Sequence, residues 1–389
     1  MFRRMTVGLR YKHDEGWTGG VHYVRNLVRA LDLLPERIKP RLVMIGGDKA
    51  ALNALRDVTG YRRLTRVAST RIKAAPPAAR GLTGMIERHT DEIDVVLLGS
   101  SPGLEARTVQ WVPDLQEDAF PEFFPPEELH DRRERNLRWF SHSHVMLSSQ
   151  AVTDQARRLY GHLGARLHVV RFASFVAGEA RGADPVALRA RYGLPERYFI
   201  CPNQLWKHKN HALVLRALAA LAPGEGAPVV FTGREEDPRD PAYAASVKAL
   251  AGTLGVQDRA RFLGFLPRAD QLGLIMGAAA VVQPSLCEGW STVVEDAKAL
   301  GRPVLASDIP VHREQLGAGA VLFPPDDPAA LAALLRAYGQ ANPPAPAWDY
   351  PSAERRFARA LMATIKAATR DFRRRRLPRL VITPAPRSS

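Results

Sequence analysis

Short apolar runs alternate with amphipathic stretches along almost the whole chain. The run MTVGLRY (5–11) reads as a strand, and the stretch after it sets Val21, Val24, Leu27, Val28 and Leu31 on one helical face. Further strands are expected at 41–46, 93–99, 108–115, 144–150 and 166–172. Several are apolar without alternation, as strands are when both faces of a parallel sheet are covered. The rhythm then pauses over 174–197, a stretch of Ala, Gly, Arg and Pro that suits a linker holding a short helix. It restarts with strands at 197–203, 227–233 and 260–266, then at VVQPSL, 302–308 and 320–325, with helical patterns between them. Two such series imply an α/β protein of two doubly wound, Rossmann-like domains. The expected boundaries are 1–173, a linker at 174–197, 198–345, and a closing helix with a basic tail at 346–389. Open parallel sheets bind ligands at the carboxyl ends of their strands, so a central cleft faced by both domains is expected. No GxGxxG follows the first strand, which disfavours a dinucleotide cofactor.

Composition adds limits. A chain of 389 residues, 46% hydrophobic, is long enough for two cores of ordinary size. No apolar run is long enough to cross a bilayer, and the first residues carry no leader pattern, so a cytoplasmic protein is expected. Two cysteines far apart, Cys201 and Cys287, read as reduced thiols rather than as a redox or zinc pair. The net charge of +15 calls for an anionic partner, whether nucleic acid, lipid headgroups or phosphorylated substrate. Its densest cluster, RDFRRRRLPR (370–379), reads either as a solvated tail or as a peripheral contact with an anionic membrane surface.

Candidate chemistry concentrates in PSLCEGWSTVVEDAKALGRPVLASD (284–308). Thr292 and Glu295 fit a capping box at the start of a helix, which gives Glu295 a structural role. Asp296 is one step further round the helix, free to face either ligand or solvent. Glu288 sits before a glycine at a strand-to-helix turn, where amides and the helix dipole favour an anion. It either caps that helix or accepts from hydroxyls of a ligand whose phosphate or sugar is held by the amides of Gly289, Trp290, Ser291 and Thr292. In the second series Lys207, His208 and Lys209 follow the first strand at the amino end of its helix, where side chains and dipole act together on phosphate.

This segment resembles the signature of family 4 of the retaining glycosyltransferases, enzymes of the GT-B fold that use nucleotide-diphosphate sugars. Pro284, Ser285, Glu288, Gly289, Gly301, Pro303, Val304, Ala306, Ser307 and Asp308 match its pattern, and Asp296 stands where the second of two glutamates is found, seven residues intervening. By that resemblance the domain at 198–345 binds the donor and that at 1–173 the acceptor, with the last helix crossing back to the first domain. Glu288 meets the donor's sugar and Asp296 the ribose, with Glu295 as the alternative. Lys209 matches the family's diphosphate-binding lysine; Gln204 replaces its arginine, and Lys207 is the candidate to supply the missing cation. Gly233 lines the site, Arg234 meets phosphate or pairs with Glu235 or Glu236, and Phe265 either lies against the base or packs in the core. In GWTGGVHYVRNLV, Gly19 and Gly20 match a glycine pair near donor and acceptor, and WVPDLQEDAF gives Asp114 an acceptor-side role, with Glu117 in place of a histidine.

The resemblance implies transfer of a hexose, with retention, to a saccharide or lipid-linked saccharide acceptor in the synthesis of a surface polysaccharide or glycoconjugate. GDP-mannose is slightly preferred to UDP-sugars as donor. No DxD pair is present, DDP at 326–328 reads as a helix cap followed by proline, and neither metal nor cofactor is expected. The alternatives are a nucleotide-sugar epimerase of the same architecture and a basic nucleic-acid-binding protein. No aromatic-basic repeat supports the latter, so nucleic acid is not expected as a partner.

Overall fold

The apolar runs assemble into two parallel sheets. In the computed structural model, residues 4–11, 18–75, 92–99, 104–141, 144–222, 224–341 and 347–383 are described. Gly16 and Trp17 of the GWTGG stretch, the boundary at 345–346 and residues 384–389 of the tail lie outside them. The strands are β1 (Thr6–Arg10), β2 (Arg41–Ile45), β3 (Leu64–Val67), β4 (Ile72–Ala75), β5 (Glu92–Ile93), β6 (Val95–Leu97), β7 (Thr108–Val112), β8 (His144–Leu147), β9 (Arg166–Val169), β10 (Phe199–Cys201), β11 (Val229–Thr232), β12 (Ala260–Gly264), β13 (Val281–Gln283), β14 (Val304–Ser307), β15 (Val321–Phe323) and β16 (Arg379–Ile382). By contact the chain divides into two compact units, Met1–Pro113 with Arg133–Ala173 and Pro351–Ser389, and Asp114–Arg132 with Ser174–Tyr350. Each is Rossmann-like.

In the first unit the main sheet runs β3-β2-β1-β6-β7-β8-β9, parallel throughout. A second, antiparallel sheet, β4-β16-β5, is built largely from short strands that the apolar pattern does not announce. Leu380 and Ile382 of β16 join a core with Val43, Ile45, Ile93 and Val96. The helix Tyr350–Arg374 buries Phe357, Leu361, Ile365, Ala368 and Phe372, a stripe at i+3 and i+4 spacing on one face. The basic stretch that ends it and follows it is tied to the first unit rather than being a free tail, although the side chains of Arg373, Arg374 and Arg375 stay at least half exposed. Arg373 bonds Asp94 at 2.7 Å, Arg107 donates to the carbonyls of Leu377 and Pro378, and Arg379 opens a paired strand.

The second unit holds the sheet β12-β11-β10-β13-β14-β15, all parallel. Successive residues of a strand point to opposite faces, and here both faces are covered. Phe199, Cys201, Val229, Phe231 and Val282 pack with the helices His211–Ala219 and Pro328–Gln340, while Tyr198, Ile200, Val230 and Val281 pack with the helices Arg268–Gly277 and Thr292–Ala299. This explains why β10, β11 and β13 are apolar without alternation. The linker expected at 174–197 contains the helix Pro185–Arg191, capped by Asp184. Asp327 likewise caps the helix that begins at Pro328, accepting from the amides of Ala329 and Ala330. No helix of the described residues is long and apolar enough to cross a membrane.

Candidate functional site

The strand order of the second sheet reverses between β10 and β13. From β10 the chain moves outward to β11 and β12, and from β13 it moves the other way to β14 and β15. The two loops leaving the carboxyl ends of these neighbours therefore diverge to opposite faces and open a crevice between them, the place where such sheets bind ligands. Lys209 comes from the β10 loop, in the short 3-10 turn Lys207–Lys209, and Glu288 from the β13 loop. They meet there, with Lys209 Nζ donating to Glu288 Oε1 at 2.6 Å and side chains 16% and 9% exposed.

Glu288 is held firmly. Gln283 Nε2 (2.8 Å) and Ser285 Oγ (2.7 Å) donate to the same oxygen, Oε1, and Gln283 is itself fixed by Asn203 Nδ2 at 3.1 Å. Among the described residues no group bonds Oε2. Burial pushes this carboxyl up, but the charge of Lys209, the neighbouring His312 and the hydrogen bonds outweigh it and hold the group below its ordinary value. Beneath it Ser307 Oγ donates to the Ser285 carbonyl, and buried His312 lies against the Ser307 carbonyl at 2.8 Å, its Nε2 without a partner. Asp114, which belongs by contact to this unit, is half-buried and accepts from Gln116 at 3.3 Å. Burial raises its carboxyl first, the charge of Glu117 second, and that of Glu288 contributes in the same direction.

The helix after Glu288 departs from four expectations. Its cap is Ser291, one residue earlier than Thr292, with Ser291 Oγ accepting from the Val294 amide at 3.3 Å. The Ser291 amide is occupied, donating to Gln315 Oε1 at 3.1 Å, so it is not open to a ligand. Glu295 neither completes a capping box nor reaches outward. It is 1% exposed and accepts from Tyr350 Oη (2.9 Å), Lys298 Nζ (3.0 Å) and Gln315 Nε2 (3.0 Å), so it is no alternative for ribose. Asp296, also 1% exposed, takes a two-pronged contact from Arg268 at 2.6 and 2.7 Å. Both of its oxygens are satisfied by a guanidinium that also bonds Glu179, which opposes a free ribose-accepting carboxylate there.

The remaining candidates spread around the crevice. Gly233 has φ +139°, and a Cβ there would lie 2.4 Å from the Asn203 carbonyl, so only glycine lets the β11 turn approach the β10 loop this closely. Leu205 N donates to the Arg234 carbonyl at 2.8 Å, and the Arg234 guanidinium lies over the Phe265 ring at 4.6 Å. Phe265 is 56% exposed and not core. Glu235, one of Arg234's two expected partners, binds Lys248 instead. Gln204 sits in the β10 loop, its carbonyl accepting from Trp206 N. Trp290 is 9% exposed, and Gly289 precedes it in the turn. Lys207 faces Asp240 at 3.8 Å rather than Glu288, and Thr292 opens the helix. Gly19 and Gly20 lie in the first turn of the helix Thr18–Asp32 of the other unit. Cys201 and Cys287 are both free thiols.

Sequence reasoning missed Gln283, Arg268, Gln315 and Tyr350. A lone polar residue ending the apolar strand β13 is a usable signal for Gln283. Tyr350 and Gln315 lie 55 and 20 positions from Glu295, and nothing local marks them.

Residues 188–347 match the profile of a family described as glycosyl transferases group 1. Among curated proteins, the O-antigen chain mannosyltransferase RfbU of Salmonella typhimurium is 26% identical over 184 residues, 47% of each chain. D-inositol 3-phosphate glycosyltransferase 1 of Catenulispora acidiphila is 29% identical over 195 residues, 47% of this chain and 46% of its own. The chain thus spans about half the length of these curated relatives. Solved structures extend the likeness in fold over nearly the whole chain. The Anabaena protein Alr3699/HepE, in complex with UDP and glucose, superposes with a TM-score of 0.62 at 16% identity, over 96% of this chain and 98% of its own. WaaG, a glycosyltransferase involved in lipopolysaccharide biosynthesis, gives 0.54 at 13% identity over 93% and 95%. The two parallel-sheet units are those of the GT-B glycosyltransferase fold.

Proposed function

We propose that this chain transfers a hexose from a nucleotide-diphosphate sugar to a hydroxyl of a saccharide or lipid-linked saccharide, with retention at the anomeric carbon and without a metal, in the assembly of a surface polysaccharide or glycoconjugate. The observation that carries this reading is the Lys209–Glu288 pair at the point where the second sheet reverses its strand order. The group 1 match over 188–347 and the mannosyltransferase and inositol phosphate glycosyltransferase relatives support it.

In this reading the donor's diphosphate enters the crevice and takes Lys209 Nζ, while Glu288, still anchored through Oε1 by Gln283 and Ser285, presents Oε2 to hydroxyls of the sugar. The bond between the anomeric carbon and the β-phosphate oxygen breaks as the acceptor oxygen bonds to that carbon on the same face. The acceptor's proton passes to the leaving phosphate, whose growing negative charge Lys209 stabilises. Asp114, with its raised affinity for a proton, is assigned to the acceptor hydroxyl. The helix start at 291 contributes its dipole rather than the Ser291 amide.

The test is a screen of GDP- and UDP-sugars for thermal stabilisation of the purified chain, followed by product analysis with mono- and oligosaccharide acceptors. A transferred sugar, lost in Lys209→Ala and Glu288→Gln, supports the reading. Epimerised donor without an acceptor would assign the same crevice to an epimerase instead. Full transfer by both variants would place the chemistry elsewhere.

A further inference from the structure

Beside the Lys209–Glu288 crevice the second unit holds a separate pocket of about 230 Å³ that the proposed donor chemistry does not use. Its walls come from the segment 122–125, from the Lys207–His208 turn and from the loop 237–240. Its neighbourhood is fixed by a backbone bond, since Leu286 N, two residues before Glu288, donates to the carbonyl of its wall residue His208 at 2.8 Å. The segment 122–125 is held there by Arg239, whose guanidinium lies 5.1 Å from the Phe124 ring and 4.9 Å from the Trp206 ring and reaches Gln116 at 3.4 Å.

The chemistry of the lining selects a class of ligand. Two cations face it, and each already has a carboxylate: Arg239 bonds Asp237 at 3.1 Å and Lys207 pairs with Asp240 at 3.8 Å. Glu122 adds a further negative charge. With three carboxylates against two cations the pocket repels a phosphate or nucleotide, although the chain as a whole is strongly basic. What it offers instead is carboxylate acceptors and cationic donors lining the same pocket as a half-buried aromatic, Phe123. Phe120 stacks on that ring at 5.1 Å, and Lys207 Nζ lies over it, 5.6 Å from its centre. The Lys207 side chain is 49% exposed, so its long ion pair yields to a ligand at small cost. A neutral polyhydroxylated ring with one apolar face meets all of these features.

We propose that this pocket is an acceptor subsite that binds one sugar ring, its apolar face on Phe123 and its hydroxyls on Asp240, Glu122 and Lys207. This deepens the glycosyltransferase reading and rests on it for the word acceptor, while binding of the sugar is a property of the pocket alone. The experiment uses the full chain and methyl glycosides of glucose, mannose, galactose and N-acetylglucosamine as probes, observed by saturation-transfer NMR and titrated to dissociation constants. At least one should bind with a constant on the order of 1–10 mM. Phe123→Ala and, as a change that spares the packing of Phe124, Asp240→Asn should each weaken it by about fivefold or more, with GDP and UDP binding unchanged. Binding of no glycoside, equal binding by wild type and both variants, or displacement of the glycoside by inorganic phosphate would each overturn the proposal. If no nucleotide sugar serves as donor yet glycoside binding still falls in the variants, the pocket stands and the transferase reading fails. If transfer proceeds while binding ignores both variants, this proposal fails alone.

Discussion

Lys209→Met removes the cation at the crevice and leaves Glu288 buried without its countercharge. At 2.6 Å and an effective dielectric near 20, the gross attraction within the pair is about 6 kcal/mol. Most of this is offset by desolvation, because both side chains are mainly buried. Breaking a buried pair typically costs about 3–5 kcal/mol. Glu288 keeps Gln283 and Ser285 as donors, so a loss near 3 kcal/mol is expected. Glu288→Gln should cost less, about 1–2 kcal/mol, since Lys209 can turn towards water. The double variant should then be less destabilised than the sum of the singles by about 1–2 kcal/mol, measured by urea unfolding at neutral pH. Transfer should behave differently. Lys209→Met is expected to lose about 10²–10³-fold in kcat, the effect of removing one donor aimed at developing negative charge, and the double variant should recover none of it. A pH series adds a sign. Glu288 has its carboxyl lowered in the folded chain, so its contribution is fully present above the unfolded carboxylate range and is lost as pH falls through the lowered folded value. That acid limb should disappear in Lys209→Met. A coupling below about 0.5 kcal/mol, or a kcat within a few-fold of wild type, would refute the reasoning.

Three further outcomes follow from buried groups of the second unit. Tyr350→Phe strands the Ser174 amide, which donates to Tyr350 Oη at 2.7 Å, and removes one donor from Glu295; a loss of about 1–3 kcal/mol is expected in urea unfolding. Gly233→Ala forces a Cβ to 2.4 Å from the Asn203 carbonyl at a left-handed φ, and should lower Tm strongly or abolish soluble expression, read by circular dichroism. His211 is fully buried, and burial, aided by the charge of Lys209 and opposed by the Asn203 backbone, lowers its pKa to about 3. The unfolded chain therefore takes up its proton first, so stability should fall by about 1.4 kcal/mol per pH unit below about 6.5, a slope that His211→Leu reduces in acid unfolding curves.

Most of the alternating series could be read from the chain because strands such as β2, β10, β11 and β13 are nearly continuous apolar runs; β3, LTRV, mixes polar and apolar residues and gives no such signal. The antiparallel sheet was not legible either. Glu92–Ile93 and Arg379–Ile382 are too short for a period, and their partners lie almost 300 residues away. The candidate site divides in the same way. Glu288 and Lys209 announce themselves by position, a charge placed just past an apolar strand before a helix. Asp296 and Glu295 carry a similar local signal but are buried and paired within the fold, their partners Arg268, Gln315 and Tyr350 being supplied by distant elements. A carboxylate at a helix start is ambiguous in one dimension. Which arginine folds over it decides its role.

Net charge is a poor guide to each site for a related reason. The chain carries +15, yet charges that stand out in its sequence are spent within the fold: Arg373 on Asp94, Arg268 on Asp296, Arg239 on Asp237 and Lys209 on Glu288. An ammonium already paired cannot attract a phosphate at long range; it can only exchange partners when the incoming group displaces the carboxylate's share. Under the proposed function this makes Lys209 selective. Free phosphate would have to compete with a carboxylate at 2.6 Å, whereas a donor sugar that gives hydroxyl donors to Glu288 compensates the same carboxylate as its lysine leaves. Inorganic phosphate or pyrophosphate should therefore inhibit weakly, nucleoside diphosphate more strongly through its base and ribose, and the complete nucleotide sugar should bind most tightly, an order that Glu288→Gln compresses. An inhibition series in which pyrophosphate matched the nucleoside diphosphate in wild type would show Lys209 to be an open cation, and the exchange argument would fall with it.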